Sequence, residues 1–260
     1  MQNHYKPSLH LVSPVFISLF CFVINVVLAK SSEIYTEEVV YYKNQKNVVG
    51  YLARPIDGKR YPAILLIHEW WGLNENIKER ARQFAGQGYV ALAVDLYGGR
   101  VTTTASEARN LAGEVRNNRN DAFDNLKGAV EFLQSQSLFV IPDRIASIGW
   151  CFGGGWSFEM AKNNLGVKAS VIYYGRFNPK DDLSKMRAVI LGHFAEEDRV
   201  IRVESVREFQ AKLRTMKGDH EIFIYPNTGH AFANPNSRNY NQEASELAWE
   251  RTLHFLQKRL

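Results

Sequence analysis

Cys151 stands in Gly149-Trp-Cys-Phe-Gly153, with further glycines at 154 and 155, directly after the apolar run of residues 145–148. A nucleophile at the tip of a sharp strand-to-helix turn needs small residues two places before and after it, because the backbone folds tightly against itself there and a Cβ would clash. The pattern is a nucleophile elbow that carries sulfur in place of the commoner hydroxyl. A thiol attacks as thiolate, so it needs a base or a lowered pKa. A helix beginning at Phe152 would present unpaired N–H groups that favour an anion. The competing reading is an inert buried cysteine packing as a small hydrophobe.

The base expected for this thiol is His230, in the loop Thr228-Gly-His-Ala-Phe232. The carboxylate that would fix its tautomer and stabilise imidazolium is Asp198, in His193-Phe-Ala-Glu-Glu-Asp-Arg-Val200. Glu196 and Glu197 are rivals that read better as solvated loop charges, and His68 and His193 read as structural strand-end residues. An oxyanion formed at an attacked carbonyl would be held by the N–H of Phe152 and by one from Glu69-Trp-Trp-Gly-Leu-Asn74, by position that of Trp70. Nucleophile, acid and histidine in that chain order are the order of the α/β-hydrolase fold.

Something must carry these groups. Residues 34–42 and 47–53 alternate weakly around a turn-like Lys43-Asn-Gln-Lys46, as an edge hairpin would. Continuous apolar runs at 61–68, 89–94, 145–150, 167–174 and 188–193 suit strands buried on both faces, and 221–225 a last strand. Between them the pattern predicts helices over 75–87 (capped by Asn74), 106–136 broken near 117–120, 152–164, 204–216 and 244–257. The alternation predicts a mostly parallel, doubly wound sheet of about eight strands with helices on both faces. Every residue singled out then falls after the carboxyl end of a strand, where ligands bind in such sheets.

Composition agrees with one such domain. The chain has 260 residues, 45% of them hydrophobic and 12% aromatic, and its net charge of +5 is interspersed without a basic run that would mark a nucleic-acid partner. No phosphate loop, dinucleotide fingerprint or metal cluster stands in the sequence, so neither cofactor nor metal is expected. The domain expected is residues 30–260, as a monomer. The segment before it differs: Lys6 is its one basic residue, residues 14–28 are almost wholly apolar, and Val27-Leu-Ala29 offers a processing site. That is the layout of a signal peptide, and export to a periplasm or beyond is the expectation. The alternative is an uncleaved anchor over residues 11–29, and either would be the chain's contact with a membrane. Cys21 lies in this segment, so cleavage leaves Cys151 as the one cysteine. A thiol-redox protein lacks its C-x-x-C pair.

Five stretches together, His68-Glu-Trp-Trp-Gly-Leu-Asn74, Val94-Asp-Leu-Tyr-Gly98, Gly149-Trp-Cys-Phe-Gly-Gly154, Gly192-His-Phe-Ala-Glu-Glu-Asp198 and Gly229-His-Ala-Phe232, resemble the dienelactone hydrolase family from about Tyr35 to the C-terminus. The resemblance implies cleavage of a small lactone or enol ester through an acyl-enzyme on Cys151, with Asp198 and His230 completing a triad. It also implies that Glu69 pairs with the cysteine as a switch that keeps the resting thiol protonated. Substrate carboxylates are held in that family by two arginines. Arg100 could fill one place; Asn234 stands at the other, and Arg176 could compensate. Trp70, Trp71, Tyr97 and Phe152 suggest an aromatic-walled pocket. A general small-ester carboxylesterase and a non-catalytic binding relative are the alternatives.

Overall fold

The computed structural model describes residues 1–2, 33–43 and 47–260; the expected leader and anchor segment, residues 11–29, lies outside them. Strands β1 (Ile34–Lys43) and β2 (Asn47–Pro55) form the expected antiparallel hairpin at one edge. β3 (Tyr61–Ile67), β4 (Val90–Val94), β5 (Val140–Trp150), β6 (Ala169–Tyr173), β7 (Val189–Ala195) and β8 (Glu221–Tyr225) complete a sheet of eight strands in the order β1-β2-β4-β3-β5-β6-β7-β8. From β4 onward along that order the neighbours are all parallel. β5 begins earlier than its apolar run suggested, and its register against β3 shifts between Tyr61 and Ala63. Pro142, which has no N–H to give the ladder, sits in that irregular stretch.

Period-two alternation sends side chains from each strand to two cores. Ala63, Leu65 and Ile67 pack in one core with residues of α2 (Ala105–Asn117), α3 (Arg119–Ser135), α4 (Phe152–Lys162) and α5 (Val203–Arg214). Ile64 and Leu66 pack in the other with Phe84 of α1 (Glu75–Gly86) and Phe255 of α6 (Gln242–Arg259). Each leucine so enclosed stabilises the fold by about 2 kcal/mol before entropy is counted. The helix break falls at Asn118, which closes α2 and opens α3 with the non-helical φ of −111° and ψ of 54°.

Register brings the strand ends level. Ile67 pairs with both Val94 and Gly149, Tyr173 with both Trp150 and His193, and Ala195 with Tyr225. The loops after β3, β4, β5, β6, β7 and β8 therefore open on one edge of the sheet.

Candidate active site

Cys151 links β5 to α4 with φ 52° and ψ −110°, a strained conformation for a residue with a side chain. The turn closes because its flanks are glycine. A Cβ on Gly149 would lie 2.0 Å from the Gly153 carbonyl oxygen, and one on Gly153 would lie 2.1 Å from that of Ile67. The elbow is thereby wedged between its own helix and β3. Phe152 N–H, at the first position of α4, has no acceptor within the helix.

His230 Nε2 lies 3.1 Å from Cys151 Sγ, and its Nδ1 lies 2.7 Å from Asp198 Oδ2. Asp198 is buried, and its Oδ1 accepts N–H bonds from Val200 at 2.7 Å and Ile201 at 3.0 Å, which fix the carboxylate toward the imidazole. Burial alone would lower the His230 pKa, but its bonds and charges from Asp198 and Cys151 outweigh burial and push it up to about 10. Asp198 and Cys151 thus stabilise the imidazolium form of the ring. Glu196 and Glu197 are exposed, as a solvated reading requires. His193 is buried between Tyr225 Oη at 2.9 Å and Thr252 Oγ1 at 3.0 Å, and burial lowers its pKa to about 3, so it is a neutral structural residue.

Glu69 occupies the expected loop but has a different partner. Its carboxylate accepts hydrogen bonds from Asn234 Nδ2 and, at 3.5 Å, from Tyr174 Oη. The thiol is partnered by His230, so the pairing of Glu69 with Cys151 implied by the resemblance is not the arrangement in this structure. Burial raises the Glu69 pKa to about 7, against the opposing pull of Asn234, His230, Arg80 and Tyr174. Tyr174, whose ring lies 5.3 Å from that of His230, was not singled out from the sequence, although Tyr173-Tyr-Gly175 ends a strand at this edge. Arg80 was also missed; its Nη2 donates to the Ala233 carbonyl at 2.9 Å and so ties α1 to the His230 loop.

A raised carboxyl pKa means that the folded protein favours the neutral acid. The stabilisation is complete below the ordinary 4.5 and is lost as pH rises through about 7. Glu69→Gln should therefore gain about 2 kcal/mol on the parent protein between pH 5 and pH 8. Urea unfolding of both proteins at the two pH values measures this. A gap that stays constant would show that Glu69 titrates normally.

The remaining site residues divide. Trp70, in the β3 exit loop, and Phe152 are both half-buried, and Trp70 packs edge-on to Trp71 with ring centres 4.9 Å apart. Tyr97 is buried, with its ring 5.4 Å from that of Phe152 and its hydroxyl without a hydrogen-bond partner among the described residues. The Arg100 guanidinium bonds Glu114 of α2 at 2.6 Å and the Tyr97 carbonyl at 2.9 Å, in an ion pair whose two side chains are both about half exposed. Arg176 is exposed after β6, beside the first turn of α4, where its carbonyl would lie 3.2 Å from a Cβ on Gly155. Among the described residues, no three His, Cys, Asp or Glu side chains cluster as metal ligands.

A protein of Saccharolobus solfataricus named as a candidate carboxymethylenebutenolidase is 31% identical, covering 85% of this chain and 98% of its own. The protein usf of Aquifex pyrophilus is 32% identical over the same shares. The fold is shared with a dienelactone hydrolase-like promiscuous phosphotriesterase from metagenomic libraries, with a TM-score of 0.78 at 23% identity over 87% of this chain and 98% of that one. The model of the dienelactone hydrolase family matches residues 48–260, which takes in every strand after β1 together with each loop that forms the site. An eight-stranded α/β-hydrolase sheet, a glycine-wedged elbow and a match over that length place this chain in the dienelactone hydrolase family, among the enzymes that hydrolyse carboxylic esters.

Proposed function

We propose that this enzyme cleaves a small lactone or carboxylic ester through a covalent thioester on Cys151. The observation that carries the proposal is the unbroken line Asp198, His230, Cys151, with both bonds made through the two ring nitrogens of one histidine. His230 Nε2 takes the thiol proton and Sγ attacks the carbonyl carbon, placing negative charge on the carbonyl oxygen. The N–H groups of Phe152 and Trp70 stabilise that charge. Collapse of the intermediate breaks the acyl C–O bond, and His230 returns its proton to the departing oxygen. In a lactone that oxygen stays tethered to the acyl chain. A water deprotonated by His230 then hydrolyses the thioester, releasing the acid and the free thiol.

The test is rapid acid quench during turnover of an aryl ester, followed by mass spectrometry of the peptide that contains Cys151. One acyl group on that cysteine supports the mechanism; an acyl group on any other residue, or none during a measurable burst, refutes it.

Two observations favour a broad range of small esters over a narrow carboxylate-bearing lactone. Arg100 is paired with Glu114, and the second position holds Asn234, which has no guanidinium and bonds Glu69 instead. On a matched panel of esters with and without a free carboxylate, kcat/KM should differ by less than about tenfold, the effect of one modest interaction. A strong preference for the carboxylate members, lost in Arg176→Ala, would restore the narrow reading. A role for Glu69 as a thiol switch requires its carboxylate to leave Asn234 and Tyr174. We also propose that the enzyme is exported, on the charge and apolar layout of residues 1–29. N-terminal sequencing of the protein from the extracytoplasmic fraction tests this, and a mature chain that retains residues 11–29 would mean an anchor.

A further inference from the structure

His68, the last residue before the β3 exit loop, is fully buried and touches both loops that would supply oxyanion donors. Its Nδ1 lies 2.6 Å from the carbonyl oxygen of Glu69, and its Nε2 lies 3.2 Å from the backbone N of Leu96. A carbonyl can only accept a hydrogen bond and a backbone N–H can only donate one. The two contacts are satisfied together only by a neutral imidazole with its proton on Nδ1. Protonation would set an N–H against the Leu96 N–H. Burial also disfavours the charged ring. Asp95 does not rescue it, because its Oδ1 is 4.0 Å from Nε2 and accepts instead from the Tyr97 N–H at 2.8 Å.

The Glu69 carbonyl belongs to the peptide group whose N–H is that of Trp70. In a planar trans peptide the C=O and the N–H point in opposite directions. His68 Nδ1 and the N–H of Gly72, at 3.2 Å, hold the carbonyl from one side and thereby aim the Trp70 N–H to the other. The same ring stacks on that of Phe152, with centres 5.7 Å apart at 16°, and meets Tyr97 edge-on at 4.6 Å. Through Leu96 it also ties the β4 exit loop to the β3 exit loop.

We propose that His68 is the positioning residue of the oxyanion hole: as the neutral Nδ1–H tautomer it locks the Glu69–Trp70 peptide and buttresses Phe152, while taking no proton in the reaction. This rests on the reading of Trp70 and Phe152 as oxyanion donors. A group that aims a donor at charge present only in the transition state affects kcat and leaves ground-state binding and thiol activation alone.

Two measurements test it. Imidazole nitrogen NMR of the uniformly labelled wild-type protein should show His68 as neutral Nδ1–H from pH 5 to pH 9; the Nε2–H tautomer, or protonation in that range, overturns the proposal. His68→Phe keeps a stacking ring without its nitrogens, and His68→Asn keeps a short donor toward the Glu69 carbonyl. In His68→Phe, kcat should fall roughly 100-fold, the effect of losing one oxyanion donor, with KM and the rate of Cys151 alkylation by iodoacetamide within about twofold of wild type. His68→Asn should recover at least about tenfold of that loss. Undiminished hydrolysis in His68→Phe, or hydrolysis and alkylation falling together, overturns the proposal. If the phenylalanine variant does not fold, the NMR tautomer and the asparagine variant still decide it. A wild-type protein that forms no thioester on Cys151 would refute the mechanism, whereas acylation that survives His68→Phe at full rate would refute this proposal alone.

Discussion

Cys151→Ala should lower kcat for small-ester hydrolysis by at least about 10⁴-fold, with KM changed by no more than a few-fold. Alanine leaves the elbow's shape and the oxyanion donors in place, so the substrate still binds and its carbonyl is still polarised. Under a thioester mechanism, what disappears is the covalent step, and with it the function of His230 and Asp198, since a base with nothing to deprotonate contributes little. For the same reason Asp198→Asn in the alanine background should add almost nothing, whereas in the wild type it should cost on the order of 10² to 10⁴ by presenting the wrong imidazole tautomer. That non-additivity separates a working triad from three residues that are merely neighbours. Initial rates at saturating substrate, corrected for any trace of wild type by thiol titration, measure both effects. Hydrolysis by the alanine variant within tenfold of wild type would exclude the thioester.

Gly149→Ala should destabilise the fold by about 4 kcal/mol or more, against a typical total of about 5 to 15 for a domain. The added methyl would meet Gly153 O at 2.0 Å and Gly154 N at 2.7 Å, both of them backbone atoms of α4. Neither side chain rotation nor a small tilt relieves this. The helix cannot withdraw, because Gly154 abuts the Tyr173 carbonyl, with 2.7 Å from its own hypothetical Cβ. Gly113→Ala is the contrasting control. It lies inside α2 with nothing within 4 Å of its Cβ position, and should be neutral or stabilising by about 0.5 to 1 kcal/mol through reduced unfolded-state freedom. Urea unfolding of both variants checks the pair. A Gly149→Ala protein as stable as its parent would show that the elbow is not wedged as described.

Much of the fold was legible in the chain because its determinants are local. The apolar runs of β3 to β6 have no polar face to offer water, so they can only be central strands. The break at Asn118 follows from a run of poor helix formers. The elbow was legible for the same reason: Gly149 answers a clash with Gly153, only four positions on, although Gly153 and Gly154 also answer the distant carbonyls of Ile67 and Tyr173. Asp198 and His230 could be chosen because each follows a strand end in an order that the sheet topology enforces.

Which side chains meet across those strand ends was a different matter. Glu69 and Asn234 are 165 residues apart in the chain and Tyr174 and Glu69 are 105 apart, and nothing in either neighbourhood announces the contact. Arg100 read as a substrate ligand, and nothing near it in the chain announces that α2 lays Glu114 beside it. His68 read as structural from its place at a strand end, and its contacts with the Glu69 carbonyl, the Leu96 N–H and the Phe152 ring join three strand-end loops that are far apart in the chain. By itself, then, the sequence determined the parallel sheet, the glycine-wedged turn bearing Cys151, and the order of thiol, carboxylate and imidazole, because periodicity and short-range sterics act within a few residues. Only the tertiary structure decided that Glu69 faces Asn234 instead of the thiol, that Arg100 pairs with Glu114, and that His68 lies between the Glu69 carbonyl, Leu96 and Phe152, because those pairings depend on strand register and on the partners that distant segments bring to one edge of the sheet.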